Sequence, residues 1–247
     1  MVFLQDLPPA REPFLRAPVS VIWLIGLLLV AHFARVWAPP PWPETILLHY
    51  AFIPARYSSA VLTVQGLPPA TLFELVGNFA SYMFLHGNFA HVAINSLGLL
   101  AFGSLVARRL KATRFVLFFV LCGIAAAATH LLVYWGAAEE VIGASGGVSG
   151  MMAAAIRIMY GHLYYGRAGE PARLAPVFSK PIIGFTAVWI IANVVGGITG
   201  LGATDEVTVI AWVAHLGGYL AGLFAIDLFD RSSRQAPEAR PSLPTDS

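Results

Sequence analysis

Three short stretches of this chain place polar side chains among apolar neighbours. They are His91 and Asn95 in HGNFAHVAIN, Ser145 and Ser149 in GASGGVSG, and His215 in AHLGGYLAG. Polar and ionisable groups inside apolar helices are costly, which makes them functional candidates by default. A serine beside a histidine is the minimum nucleophile–base pair. The imidazole takes the hydroxyl proton as the oxygen attacks a carbonyl, then returns it to the leaving group. His91 and Asn95 are four residues apart and project from one helix face, supplying donors of the kind that hold a developing oxyanion. Singly, each stretch has a plainer reading. Glycines allow close helix packing, a serine in a span bonds a carbonyl of its own helix, and a lone histidine serves equally as an interhelical hydrogen-bond partner.

The elements that must position these groups follow from composition. Of the 247 residues, 57% are hydrophobic and 11% charged, and the mean hydropathy is +0.72. Soluble domains carry about 25% charged residues, so there is too little polar surface here to coat a water-soluble body. The low charge and 12% aromatics also exclude a disordered chain. A net charge of +2 gives no footprint for nucleic acid, and the single Cys122 allows no internal disulfide. A helix needs about 20 apolar residues to cross a bilayer core of about 30 Å. Six stretches qualify: 18–37, 88–107, 114–135, 145–162, 181–200 and 208–228. The first is too long for a signal peptide and lacks a small-residue cleavage site. The expected fold is an all-α membrane protein with six spans over 18–230, a cytoplasmic segment 1–17 and a polar, disordered tail 231–247.

Charge sets the expected orientation. Of 15 Lys and Arg, 13 fall on one side if the N-terminus is cytoplasmic, leaving only Arg35 and Arg56 outside. The positive-inside rule then puts both termini in the cytoplasm. Residues 39–87, between the first two spans, are too apolar for a solvated loop and too interrupted by proline for a span. They read either as short amphipathic pieces in the outer interface or as a loop packed over the bundle.

Depth connects the three polar stretches. Ser145 lies 12 residues before Arg157 and His215 lies 12 before Asp227; at about 1.5 Å per residue both stand about 18 Å above charges of the inner side. Asn95, 13 residues before Arg108, comes out at about 20 Å by the same rise. Three polar groups on three helices therefore share one level, about 10 Å below the outer surface. The fourth helix must start recessed at Ser145, preceded by irregular backbone (EEVIGA) that is tolerated only beside water or buried in protein. A helix start offers free N–H groups and a favourable dipole to an oxyanion, which selects Ser145 over Ser149. Ser149 lies one turn deeper and is expected to face the histidine's helix as a small packing residue. Gly218 and Gly222 are spaced for close helix approach. No Asp or Glu shares the depth, so the expected constellation is a dyad in a wet pocket open to the outer face.

With these motifs in place the chain resembles the rhomboid intramembrane serine proteases. The likeness rests on His86, His91 and Asn95, on GASG around Ser145, and on AHLGG with Gly222 around His215, and it extends over 18–228. It implies Ser145 as nucleophile, His215 as general base, and His91, Asn95 and the Ser145 amide as the oxyanion hole. It further implies cleavage of membrane proteins in or near their transmembrane helix, with no cofactor or metal, by a protein in contact with membrane lipids. His86 is implied to be structural, holding the first loop. Ser149 stands where many members carry an aromatic that stacks on the histidine. The minimal form, with no long N-terminal extension or seventh span, resembles bacterial inner-membrane members.

Two further readings belong beside this one. A non-catalytic rhomboid-like protein that binds membrane helices would be expected to lack the serine or the histidine. A transporter would more often show paired broken helices in inverted halves. His32, His49, His130 and His162 read as interfacial residues near span ends. Span five, with Phe185 and Trp189 and with Gly196, Gly197 and Gly200 at its outer end, reads either as a lateral gate for substrate or as a helix with ordinary lipid-facing aromatics.

Overall fold

The computed structural model describes residues 17–58, 68–166, 173–199 and 212–230. The N-terminal segment to residue 16, the tail 231–247, Gly200 and the expected start of span six at 208–211 lie outside the described residues. Among the described residues the regular structure is helical: α1 (Val19–Val36), α2 (Trp42–Tyr50), α3 (Leu72–Ser81), α4 (Phe89–Leu110), α5 (Ala112–Val133), α6 (Ser145–Tyr165), α7 (Lys180–Thr199) and α8 (Trp212–Phe229). An isolated antiparallel bridge joins Phe52 to Val141.

Five of these helices, α1, α4, α5, α7 and α8, are long and apolar enough to cross a membrane. Their outward faces are those of a body surrounded by lipid. Trp23, Leu27 and Val30 on α1 and Val188, Ile191 and Ile198 on α7 are all exposed, an apolar surface too extensive for a water-soluble monomer. The remaining expected span, the fourth in chain order, is α6; it runs for 21 residues, but serines, glycines, His162 and Arg157 dilute its apolarity. It packs against α4, α5, α7 and α8, and Ser149 and Arg157 are buried there, whereas His162 near its end is exposed.

Helix α6 lies so close to α8 that only glycine fits at the contact. A Cβ at Gly218 would meet the carbonyl of Gly146, and one at Gly222 the carbonyl of Gly150. Lipid tails are as apolar as the helices, so association rests on close packing and hydrogen bonds. The residues of α6 that meet α8 at these two crossings are glycines, and Ser149, beside Gly150, is buried. At the far end of the pair, Arg157 is 4% exposed. It donates to Asp227 through both terminal nitrogens and to the carbonyls of Ala175 and Leu223 at 2.9 and 2.8 Å. Arg109 donates to Asp230 at 2.7 Å, and Arg114 to the Phe229 carbonyl at 3.2 Å. Basic groups thus satisfy the C-terminal end of α8, where cations are favoured.

The 39–87 connection combines both expected forms. Helix α3 begins with a capping box between Thr71 and Glu74 and exposes Leu72, Phe73 and Val76, as an interfacial helix would. His49 of α2 pairs with Glu74 of α3. Between the two helices, Ala51–Ala55 is buried and packs over the backbone that leads into α6.

The glycine contacts give a direct test. Gly222→Ala is expected to force α6 and α8 apart at a cost of about 1–3 kcal/mol, lowering Tm by several degrees. Gly184→Ala on α7, where a Cβ meets nothing within 4 Å, is expected to leave Tm unchanged or raise it. Thermal unfolding of the purified chain in detergent compares the two.

Candidate active site

The site forms where α6 begins. Backbone in the segment ahead of it would be intolerable in lipid if unpaired, and each turn finds a partner in the first connection. Phe52 and Val141 exchange two backbone hydrogen bonds at 3.1 and 2.8 Å, Ala55 N–H donates to the Ala137 carbonyl at 2.8 Å, and Gly143 N–H to the Tyr82 carbonyl at 3.0 Å. Val141, Ile142 and Ala144 are buried. The irregular approach expected ahead of α6 is therefore present, exposed at Glu139 and enclosed by protein from Val141 to Ala144. Gly143 has φ +113°, a conformation that L side chains rarely adopt.

Helix α6 starts at Ser145, so the serine sits where the first N–H groups have no intrahelical partner. Its hydroxyl oxygen lies 2.8 Å from Nε2 of His215, within hydrogen-bond distance. Both residues are partly exposed rather than sealed in the core. The two expected partners thus meet, from helices 70 residues apart in sequence.

His91 and Asn95 come from the first turns of α4. Asn88 caps this helix, its side chain accepting from His91 N–H at 2.9 Å, which is what an asparagine at the N-cap position does. That start puts His91 in the first turn and Asn95 one turn on, where its Nδ2 donates to the His91 carbonyl at 3.1 Å. Both are buried, and both face the loop ahead of Ser145: a Cβ added to Gly143 would lie 2.6 Å from His91 Nε2 and 3.7 Å from Asn95 Nδ2. An amide has two N–H groups, so the Asn95 contact leaves one for a ligand. The four expected site residues thus gather around the start of α6.

His86 braces this arrangement from below. Its carbonyl accepts from Arg35 at 2.8 Å and lies 3.2 Å from Nδ1 of His32, and its ring stands edge-on to His91. Burial, followed by the neighbouring His91, holds its pKa down to about 3. The ring is therefore neutral, and its Nε2 accepts from the Ala144 N–H at 3.4 Å. His86 thus reaches the residue next to Ser145 as well as the first loop.

The structure adds partners to three of these readings. His32 and His130, expected near the ends of their spans, are also buried within the protein at 3% and 0% exposure, because neighbouring helices cover their faces. Trp189 is partly exposed rather than wholly outward-facing. It stacks on Tyr219 of α8 with ring centroids 4.1 Å apart, and Phe185 packs against the same buried cluster. His215 also has a second partner, absent from the expected dyad: its Nδ1 lies 3.0 Å from Oδ1 of Asn193 on α7. Asn193 was legible as a polar residue in an apolar span, the same signal that exposed His215.

Residues 74–231, more than half of the chain, match the family model described as the rhomboid domain. No curated protein matches the chain.

Gly143→Ala combines a strained φ with pressure on His91. It is expected to cost about 1–3 kcal/mol and to displace the His91 ring, read as a lower Tm together with shifted ring resonances of His91 in the labelled protein. An unchanged His91 signal would show that the loop does not set the ring.

Proposed function

The chain belongs to the rhomboid family, an integral multi-pass membrane protein group made up mainly of intramembrane serine proteases, and from that premise we propose that it is an intramembrane serine endopeptidase. The observation that carries the reading is the hydrogen bond between Ser145 Oγ and His215 Nε2 at the first residue of α6.

In this reading the Ser145 oxygen attacks the carbonyl carbon of a peptide bond in or near a substrate's transmembrane helix, while His215 takes the hydroxyl proton. Negative charge grows on the carbonyl oxygen. The Ser145 N–H, an Nδ2 hydrogen of Asn95 and the His91 ring are the donors that would receive it, supported by the α6 dipole. Collapse of the tetrahedral intermediate breaks the C–N bond, and His215 passes its proton to the leaving amine. A water, deprotonated by the same imidazole, then hydrolyses the acyl-enzyme and restores the serine. None of these steps calls for a metal or cofactor.

The remaining elements of the reading rest on sequence. The distribution of Lys and Arg supports six spans with α6 as the fourth, both termini cytoplasmic, and the Ser145 end opening toward the outer face of a bacterial inner membrane. The partners are transmembrane protein substrates and the surrounding lipids. Entry between α7 and its neighbours is the proposed substrate route.

Ser145→Ala and His215→Ala are each expected to lower cleavage of a tagged model membrane substrate by at least about a thousandfold, measured with the full chain reconstituted in vesicles. A fluorophosphonate should label the wild type at Ser145, located by mass spectrometry, and should not label Ser145→Ala. If both variants cleave like wild type, the chain is not a serine protease of this kind. If wild type neither cleaves nor labels, the non-catalytic helix-binding reading takes its place.

A further inference from the structure

Asn193 sits on α7, in a run of apolar residues (WIIANVV), and makes two hydrogen bonds at once. Its Nδ2 lies 2.9 Å from the backbone carbonyl of Trp212, and its Oδ1 lies 3.0 Å from Nδ1 of His215. A backbone carbonyl is only an acceptor. The amide must therefore turn its NH2 group toward Trp212, which leaves its oxygen facing the imidazole. An amide oxygen only accepts, so the imidazole nitrogen opposite it must carry the proton. In a neutral ring a protonated Nδ1 leaves Nε2 bare, and Nε2 is the atom beside Ser145 Oγ. One fixed carbonyl thus sets the direction of every hydrogen bond in the series from Trp212 to Ser145.

We propose that Asn193 is a positioning residue for His215: held by the Trp212 carbonyl, it fixes the imidazole in the Nδ1–H tautomer whose Nε2 accepts the proton of Ser145. Without an acceptor at Nδ1 the ring is free to carry its proton on Nε2, and it then has no lone pair for the hydroxyl. After proton transfer the same amide oxygen accepts from the imidazolium and holds the ring plane while the proton waits for the leaving amine. The role differs from that of a carboxylate, because the amide orients the ring and contributes no charge. It also brings α7 into the chemistry. The bond exists only while α7 is seated on α8, so displacement of α7 disarms the base. The inference rests on the proposed Ser145–His215 chemistry and adds one residue to it.

The test compares Asn193→Leu, which removes the acceptor, with Asn193→Asp, which keeps one, and with Thr186→Val. Thr186 makes the separate α7–α8 hydrogen bond to the Tyr219 hydroxyl at 2.9 Å and does not touch His215. With the full chain in vesicles and a tagged membrane substrate, Asn193→Leu is expected to lower kcat by about 10–100-fold, a part of the about 10²–10⁴ that a general base contributes, with KM unchanged. Asn193→Asp is expected to keep most of kcat, and Thr186→Val to stay close to wild type. In protein with ¹⁵N-labelled histidine, the His215 ring should carry its proton on Nδ1 in wild type and lose that preference in Asn193→Leu. A folded Asn193→Leu with wild-type kcat, or with the wild-type tautomer, overturns the proposal. So does an equal loss in Asn193→Leu and Thr186→Val, which would mean that helix docking alone is at stake. If Asn193→Leu proves unfolded, Asn193→Ser and Asn193→Ala replace it, and the tautomer measurement decides. Persistent cleavage by Ser145→Ala and His215→Ala would instead refute the protease reading itself, an outcome distinct from an active Asn193→Leu.

Discussion

The backbones of α6 and α8 touch, and the rest of the site depends on that contact. Gly146 meets Gly218 and Gly150 meets Gly222, with no room for a Cβ on α8 at either crossing. The offsets between partners are nearly constant along the pair: 70 residues for Ser145 and His215, 72 at both glycine contacts, and 70 again for Arg157 and Asp227. The helices therefore run parallel in one fixed register. Larger residues at the crossings would move the helices apart, and a serine and a histidine side chain are too short to bridge a gap of even one methyl layer. The hydrogen bond at one end of the pair thus depends on the glycines beneath it.

The other end is held by charge. Arg157 is buried, and removing its partner would leave an uncompensated cation, which is strongly destabilising in a low-dielectric interior. Two backbone carbonyls and Asp227 satisfy its donors, so sliding α8 by one turn would break several bonds together. The approach to α6 is governed by another requirement, since buried backbone groups need partners. Those for Val141 and Gly143 come from Phe52 and Tyr82, and the tyrosine's own hydroxyl is anchored to the Gly123 carbonyl at 2.8 Å. The first connection therefore serves as a wall of the site. It supplies the hydrogen bonds that let a helix begin among other helices.

Much of this was legible in the sequence, for reasons that differ by residue. Ser145 and His215 stood out because polar groups in apolar runs are rare, and their equal distances to Arg157 and Asp227 matched them in depth. Those two charges turn out to pair with each other, which is why the arithmetic held. Asn95 fitted less simply, because α4 contains a π-helical turn at Leu99–Gly103 that a uniform rise ignores. What stayed hidden depends on rotation about helix axes. Periodicity in an almost wholly apolar helix such as α7 marks no inner face, so nothing in the sequence said that Trp189 turns toward Tyr219 or Asn193 toward His215. The burial of His130 was hidden for the same reason, as was the part played by Arg35, whose guanidinium satisfies the carbonyl of His86.

Packing is unevenly distributed among the helices that carry the site. In the most apolar part of α7 only 11% of residues are buried, against 44% in α8. The two groups proposed to make and break bonds reside on the pair locked by glycine and by Arg157, where the geometry of a proton transfer can be held. Helix α7 is attached chiefly through side chains: Trp189 on Tyr219, Thr186 to the Tyr219 hydroxyl, and Asn193 to Trp212 and His215. Its first turns are packed more firmly, with Ile182 buried against Ala153 and Ile156 of α6, so these polar and aromatic ties to α8 lie along the more exposed remainder of the helix. A substrate helix that displaced it would find the nucleophile and the glycine contacts intact and the imidazole without its orienting amide. Placing that amide on the least buried of the site's helices keeps the alcohol and the imidazole in place, while making the protonation pattern of the ring follow the position of α7.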